Sequence, residues 1–151
     1  QLPEEMIMSL IRLGPKPPLL VARGDSIHSL TLKFTERNVG AAAVLDNERL
    51  VGIITERDVI KHVVAPERNP REVMIADIMS HPVITVDMKT TITEAVSLMR
   101  GKHIRHLVVV DDDGKVVGML ALRYLLYAVM DDLEKNLGDL TNYILLDNPG
   151  G

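Results

Sequence analysis

Apolar positions in this chain change rhythm several times, and the whole sequence of changes occurs twice. In the first half a short extended piece (19–23) leads into an amphipathic helix over about 26–38, where apolar residues recur at helical spacing. Two apolar runs follow, "AAAVLD" and "RLVGII", flanking Asn47-Glu48 as strands flank a turn. A second helical stretch closes the unit near 56–64. The second half repeats this order. An extended piece (83–87) precedes a helix over 91–102 that opens with the capping box "TITE", Thr91 as N-cap and Glu94 three residues on. "HLVVVD" and "KVVGML" then flank Asp112-Asp113-Gly114, a hairpin signal, and a helix runs from 122 to about 136.

Laying 21–46 over 86–111 aligns the two halves residue by residue. Val21 meets Val86, Ser26 meets Thr91, Ile27 meets Ile92, Val39 meets Ile104 and Asp46 meets Asp111. After a one-residue gap Gly52 falls on Gly118 and Arg57 on Arg123. The apolar pattern holds over the aligned stretch, which identifies an internal duplication. Each copy reads strand–helix–strand–strand–helix. Strands such as "LVVV" are apolar on both faces and need cover on both sides, while a single copy has only a thin core. Two copies packed face to face form the sensible unit.

The copies divide the chain. Residues 1–14 form an N-terminal helical extension, with Pro3 near the start of a helix over 3–13. Residues 15–65 are the first copy and 66–75, within the Pro- and charge-rich "APERNPREVMI", the linker. Residues 76–130 are the second copy, which begins with a short helix stopped by Pro82. Residues 131–151 are a C-terminal helical extension and tail, the helix expected to end near Asn136 with Gly138 as its stop.

Composition narrows the function. Of the 151 residues 46% are apolar, but only 3% are aromatic, so the core is built of aliphatic residues and Met. A formal charge of −4, with no basic run, argues against a nucleic-acid partner. Cysteine is absent, which removes disulfides, thiolate nucleophiles and Cys-based zinc sites and suits a reducing, cytoplasmic setting. No apolar run reaches the ~18–20 residues needed to span a bilayer, so no membrane partner is expected. No signal peptide is visible, although a chain that opens on Gln1 rather than Met gives that little weight.

The paired repeat, with "IMSHPVITVDMKTTITEAVSLM", "HIRHLVVVDDDGKVVG" and "LVGIITERDVI", resembles a tandem CBS-domain pair, or Bateman module, over residues 15–130. The resemblance implies an α/β (α+β) fold: two β-α-β-β-α units related by a pseudo-twofold axis, with two clefts between them. It implies regulatory binding of an adenosine compound, such as AMP, ADP, ATP, an NAD-type dinucleotide or S-adenosylmethionine. It also implies a homodimer, acting on an effector protein outside this chain, and no required cofactor.

In the family a Ser or Thr followed three residues later by Asp, after the last strand, holds a ribose. Thr55 and Asp58 match; their counterparts Ala121 and Tyr124 do not. The same spacing is also a helix cap, with Thr55 as N-cap and Asp58 a shorter stand-in for Glu, and the two readings are compatible. Gly52 would let a ring approach the strand, or marks a strand irregularity repeated at Gly118. Arg57, in the first turn of a helix, suits a phosphate, or is solvated or paired with Glu56 or with an acid on a dimer partner. In the family basic residues at the start of the "KHIRH" strand face phosphates. Arg105 and His106 match, and their counterparts are Gly40 and Ala41. The bland reading is an exposed strand end. One copy thus keeps the ribose grip and the other the cations.

No metal site emerges. His103 and His106 are three apart but lack further ligands, and Asp111-Asp112-Asp113-Gly114 lacks the acids of a calcium loop. No nucleophile–base pair stands out, so an enzyme is not expected. A ligand-free structural dimerisation module is the competing reading, favoured locally by Tyr124.

Overall fold

The computed structural model describes residues 18–146. The helix expected over 3–13 and the final residues of the tail lie outside that span.

Each repeat forms its own three-stranded sheet. In the first, β1 (Leu20–Ala22) runs parallel to β2 (Ala41–Asp46), which pairs antiparallel with β3 (Arg49–Thr55). The helix α1 (Ile27–Arg37) crosses between β1 and β2. In the second, β4 (Thr85–Val86), β5 (His106–Val110) and β6 (Val116–Ala121) repeat the order. Here α4 (Ile92–Lys102) makes the crossover, after the short α2 (Glu56–Val59) and α3 (Ile75–Ile78). The last helix, α5, spans Leu122–Leu146.

Local chemistry explains these boundaries. Ser26 caps α1, accepting from the Ser29 amide at 3.1 Å. The Thr91–Glu94 box closes as expected: each residue's backbone N–H donates to the other's side-chain oxygen at 3.1 Å. Both crossover helices end on a left-handed residue, Asn38 at φ 52° and His103 at φ 56°. The β2–β3 turn places Asn47 and Glu48 in the left-handed region, the geometry that matches strand twist in a two-residue hairpin. The Asp111 carboxylate accepts from the amides of Asp113 and Lys115 and holds the other hairpin, with Gly114 at φ 81°.

Strand alternation sorts the core into three layers. In β2, Ala42 and Val44 face the helices of their own repeat, with Ile27, Leu30, Phe34 and Val63. In β5, Leu107 and Val109 do the same with Ala95, Met99 and Leu125. The intervening residues Ala41, Ala43, Val108 and Met119 meet one another between the two sheets. Small alanines on one sheet against Val and Met on the other let the sheets approach closely.

Three details differ from expectation. The segment near the 75/76 boundary is tied to the first repeat: Val73 and Ile75 are buried in its core. The Val73 and Asp25 carbonyls accept from Ile27 and Ile75 at 2.8 and 2.9 Å. The second helix of repeat one leaves α geometry after Val59 and continues as a π-helical Ile60–Val64, closed by Ala65 N–H donating to the Ile60 carbonyl at 2.8 Å. Gly138 does not stop the last helix. The chain stays helical through it to Leu146, because a mid-helix Gly costs only ~1 kcal/mol and no proline intervenes before Pro149.

Gly52 pairs with Val44 beside a bulge in β3, where Val51 is the extra residue, and Gly118 pairs with Val109 beside the equivalent bulge in β6, at Val117. A methyl group on Gly52 would lie 2.5 Å from the Met79 sulfur. Gly52→Ala should therefore lower stability by about 1–3 kcal/mol through overpacking, measured by urea unfolding. A neutral or stabilising result would mean that Met79 is free to move aside.

Candidate functional site

The end of β3 fixes the first half of the site. Glu56 N–H donates to the Gly40 carbonyl at 2.9 Å, so the helix after β3 starts beside the start of β2. Thr55 is its N-cap and the capping box is complete. Thr55 N–H and Oγ1–H donate to Asp58 Oδ2 at 2.9 and 3.1 Å, and Asp58 N–H donates to Thr55 Oγ1 at 3.3 Å. Every one of these bonds to the carboxylate falls on Oδ2. No such bond falls on Oδ1.

The start of β5 fixes the second half. Arg105 is exposed and His106 half-buried at the mouth of the second sheet, and the Arg105 carbonyl accepts from Leu122 N–H at 2.8 Å. Face-to-face packing brings the two halves together. One cleft of about 990 Å³ is lined by Thr55, Arg57 and Asp58 from repeat one and by Arg105 and His106 from repeat two. Gly52 is not among the lining residues; the Met79 side chain lies over it.

Sequence reasoning missed several of the cleft's residues. Lys61, one turn beyond Arg57, and Arg100, near the end of α4, add two cations. The wall is apolar, with Ile53, Val83, Val96, Ile104, Leu122 and Leu126. Ser80 and Pro82 line the edge; Ser80 reaches it by bridging to Ile53, and the His81–Pro82 peptide is cis. Beside Asp58, Glu56 is a second anion of the cleft. A methyl group on Gly40 would lie 2.9 Å from its carboxyl carbon, so Gly40 leaves room for the carboxylate. The helical spacing of Lys61 from Arg57 was a usable signal, but Arg100 and Ser80 come from elements that only the tertiary fold brings near.

Two electrostatic facts define the chemistry. The ion pairs recorded among the described residues, Arg23–Asp46 at 3.6 Å and Lys33–Asp25 at 3.7 Å, leave the four Lys and Arg side chains of the cleft out. His106 is held toward its neutral form. Burial pushes its imidazole below the ordinary value; the Glu56 carboxylate pulls it partly back, and Arg123 and Arg105 lower it further. No group of three or more potential metal ligands occurs among the described residues. None of their helices is long and apolar enough to cross a membrane.

The equivalent positions in repeat two are built differently. Ala121 has no side-chain oxygen to cap α5. Tyr124 is covered by the Arg123 guanidinium, 5.0 Å from the ring centre, and meets Tyr127 edge-on at 6.3 Å.

Comparison with known proteins agrees with this architecture. The CBS domain profile matches twice, over residues 13–65 and 75–131. An uncharacterized protein of Methanopyrus kandleri is 38% identical over 114 residues, 70% of this chain and 58% of its own length. The mitochondrial CBS domain-containing protein CBSX3 of Arabidopsis thaliana is 32% identical over 125 residues, 80% of this chain and 60% of its own. The chain thus spans about three-fifths of the length of these two relatives. A CBS-domain protein of Burkholderia ambifaria superposes with a TM-score of 0.76 at 28% identity, over 85% of this chain and 93% of its own. The CBS domain pair of protein MJ0100, solved with 5′-methylthioadenosine and S-adenosyl-L-methionine, superposes with a TM-score of 0.70 at 26% identity, over 80% of this chain and 98% of its own. With two matched repeats, two three-stranded sheets and a cleft between them, the chain belongs to the CBS-domain family as a tandem pair.

Proposed function

We propose that this chain is a regulatory, non-catalytic module that senses an adenosine nucleotide in the cleft between its repeats. One observation carries the reading: the Thr55–Asp58 cap and the cations Arg57, Lys61, Arg100 and Arg105 share one apolar-walled cleft. The wall suits a purine. Asp58 Oδ1 suits a ribose hydroxyl through a charge-assisted hydrogen bond. Four cations against Glu56 and Asp58, in a chain whose formal charge is −4, suit phosphates. The solved pair MJ0100 supports an adenosine ligand, while the cation excess here favours a phosphate-bearing one (AMP, ADP, ATP or an NAD-type dinucleotide) over S-adenosylmethionine. Gly52 has no part in this reading. His106 contributes a neutral hydrogen-bonding imidazole rather than a charge.

The module works in the cytoplasm as a homodimer, coupling cleft occupancy to an effector outside this chain. Ile60 and Val64 on the second helix of repeat one are exposed, and so are their counterparts Leu126 and Met130. Such a doubled apolar stripe suits a twofold contact with a second copy. The alternative, a structural dimerisation module without ligand, draws on the Arg123–Tyr124–Tyr127 cluster, and we assign that role to the second cleft only.

Calorimetry with AMP, ATP, NADH and S-adenosylmethionine, on protein first cleared of bound ligand, should give one site per chain and a preference for a phosphate-bearing ligand. Asp58→Asn keeps the cap's shape and removes its charge. Affinity should fall by about ten- to a hundredfold, the ~1.5–3 kcal/mol of a hydrogen bond to a charged group, with little change in folding. Unchanged affinity would reduce Asp58 to a cap, and no binding by wild type would favour the structural module.

His106 sets a pH dependence. Its folded-state pKa lies below the unfolded value of about 6.5, so between the two the unfolded chain binds more protons. Stability should fall as pH drops below about 6.5 and the loss should level off below the folded pKa. His106→Gln should flatten this acid loss in urea titrations at pH 7 and pH 5. Equal losses in both proteins would show that His106 is not the group responsible.

A further inference from the structure

The last helix outruns the domain it belongs to. The second helix of repeat one ends at Val64, which corresponds to Met130, yet α5 continues to Leu146. Its 25 residues span about 37 Å at 1.5 Å per residue. Leu126, Met130, Leu133 and Leu137 are 45%, 55%, 58% and 62% exposed, so packing among the described residues covers none of them fully. Their spacing is four, three, four, and the sequence continues it with Leu140 and Ile144. A strict alternation of three and four is the heptad seam of a two-stranded coil. Asp131, Lys135 and Gly138 fall at the outer positions of that heptad and are exposed, as a solvated face requires.

We infer that α5 pairs with the α5 of a second copy as a short parallel coiled coil, its seam running from Leu126 through Met130, Leu133 and Leu137. A second copy is the fitting occupant because a seam of this spacing is self-complementary about a twofold axis. Charge selects the orientation. Antiparallel pairing would set Leu133 against Leu137, which brings Glu134 of the two chains side by side. Parallel pairing sets each Glu134 near Val129 of the other helix and avoids that repulsion. The seam is under three heptads long, so it holds as a continuation of the contact through Ile60 and Val64. It therefore rests on the homodimer reading. Leu126 belongs to the seam and also lines the ligand cleft, so the coil begins where a ligand would press.

The chain contains no cysteine, which permits a clean test on the full chain. Leu133→Cys and Lys135→Cys lie on the seam and on the outer face, both at exposed positions that leave the domain core intact. Under mild oxidation Leu133→Cys should form a disulfide-linked dimer at least tenfold faster than Lys135→Cys. Mixing Leu133→Cys with Leu137→Cys should give no faster link than Leu133→Cys alone. Light scattering on the reduced proteins separates the two readings. A dimer in which the two positions link at equal rates, or in which only the mixed pair links, overturns the parallel coil and leaves the homodimer standing. A monomer at micromolar concentration overturns both.

Discussion

The structure depends on a shortage of cover. Each repeat has a three-stranded sheet whose central strand is apolar on both faces, but only enough helix to shield one. Ala42 and Val44 are sealed by α1 and the helix after β3, and Leu107 and Val109 by α4 and α5. The other faces, with Ala41, Ala43, Val108 and Met119, pack against each other, with Leu50, Ile53, Val83, Val110 and Val116 around them. At ~25 cal/mol per Å² of apolar surface, exposing either face would cost a small domain much of its stability. The pairing of the repeats is therefore a condition of folding, and the cleft is where the paired sheets stop filling the space between them.

That geometry explains how two degenerate copies make one cleft lined by polar groups from both. The cleft takes the end of β3 from repeat one and the start of β5 from repeat two. Repeat one kept Thr55 and Asp58 at its strand end and has Gly40 and Ala41 at the start of β2. Repeat two has Ala121 and Tyr124 at its strand end and kept Arg105 and His106 at the start of β5. Crossed in this way, the retained halves meet. Of the residues that lack the motif, Ala41 pairs with Thr55 and Ala121 with His106, while Tyr124 is engaged with Arg123 and Tyr127. Capping and the proposed ligand contact are compatible at Asp58, because the recorded cap bonds fall on one carboxylate oxygen.

Much of this was legible in the sequence because duplication gives every pattern twice. Helix starts at Ser26 and Thr91 follow from side-chain oxygens at N-cap positions, a local effect that needs no tertiary information. The join of Thr55–Asp58 with Arg105 and His106 was not legible, since it depends on how two sheets meet. Gly52 was misleading for the same reason: its neighbour Met79 is distant in sequence, and the space that a ligand ring would need holds a thioether. His106 is held toward its neutral form because burial outweighs the nearby Glu56, and sequence reports neither. Gly138 signalled a helix end that a modest propensity cost did not enforce. The π turn at Ile60–Val64 has no sequence signature that we recognise.

The central claim is that the crossed halves form one nucleotide site per chain. A crystal structure grown with ATP tests it most directly. The account predicts one nucleotide per chain between the sheets, a ribose hydroxyl on Asp58 Oδ1, and phosphates among Arg57, Lys61, Arg100 and Arg105. Nucleotide bound instead beside Ala121 and Tyr124, with the Thr55–Asp58 cleft empty, would contradict it.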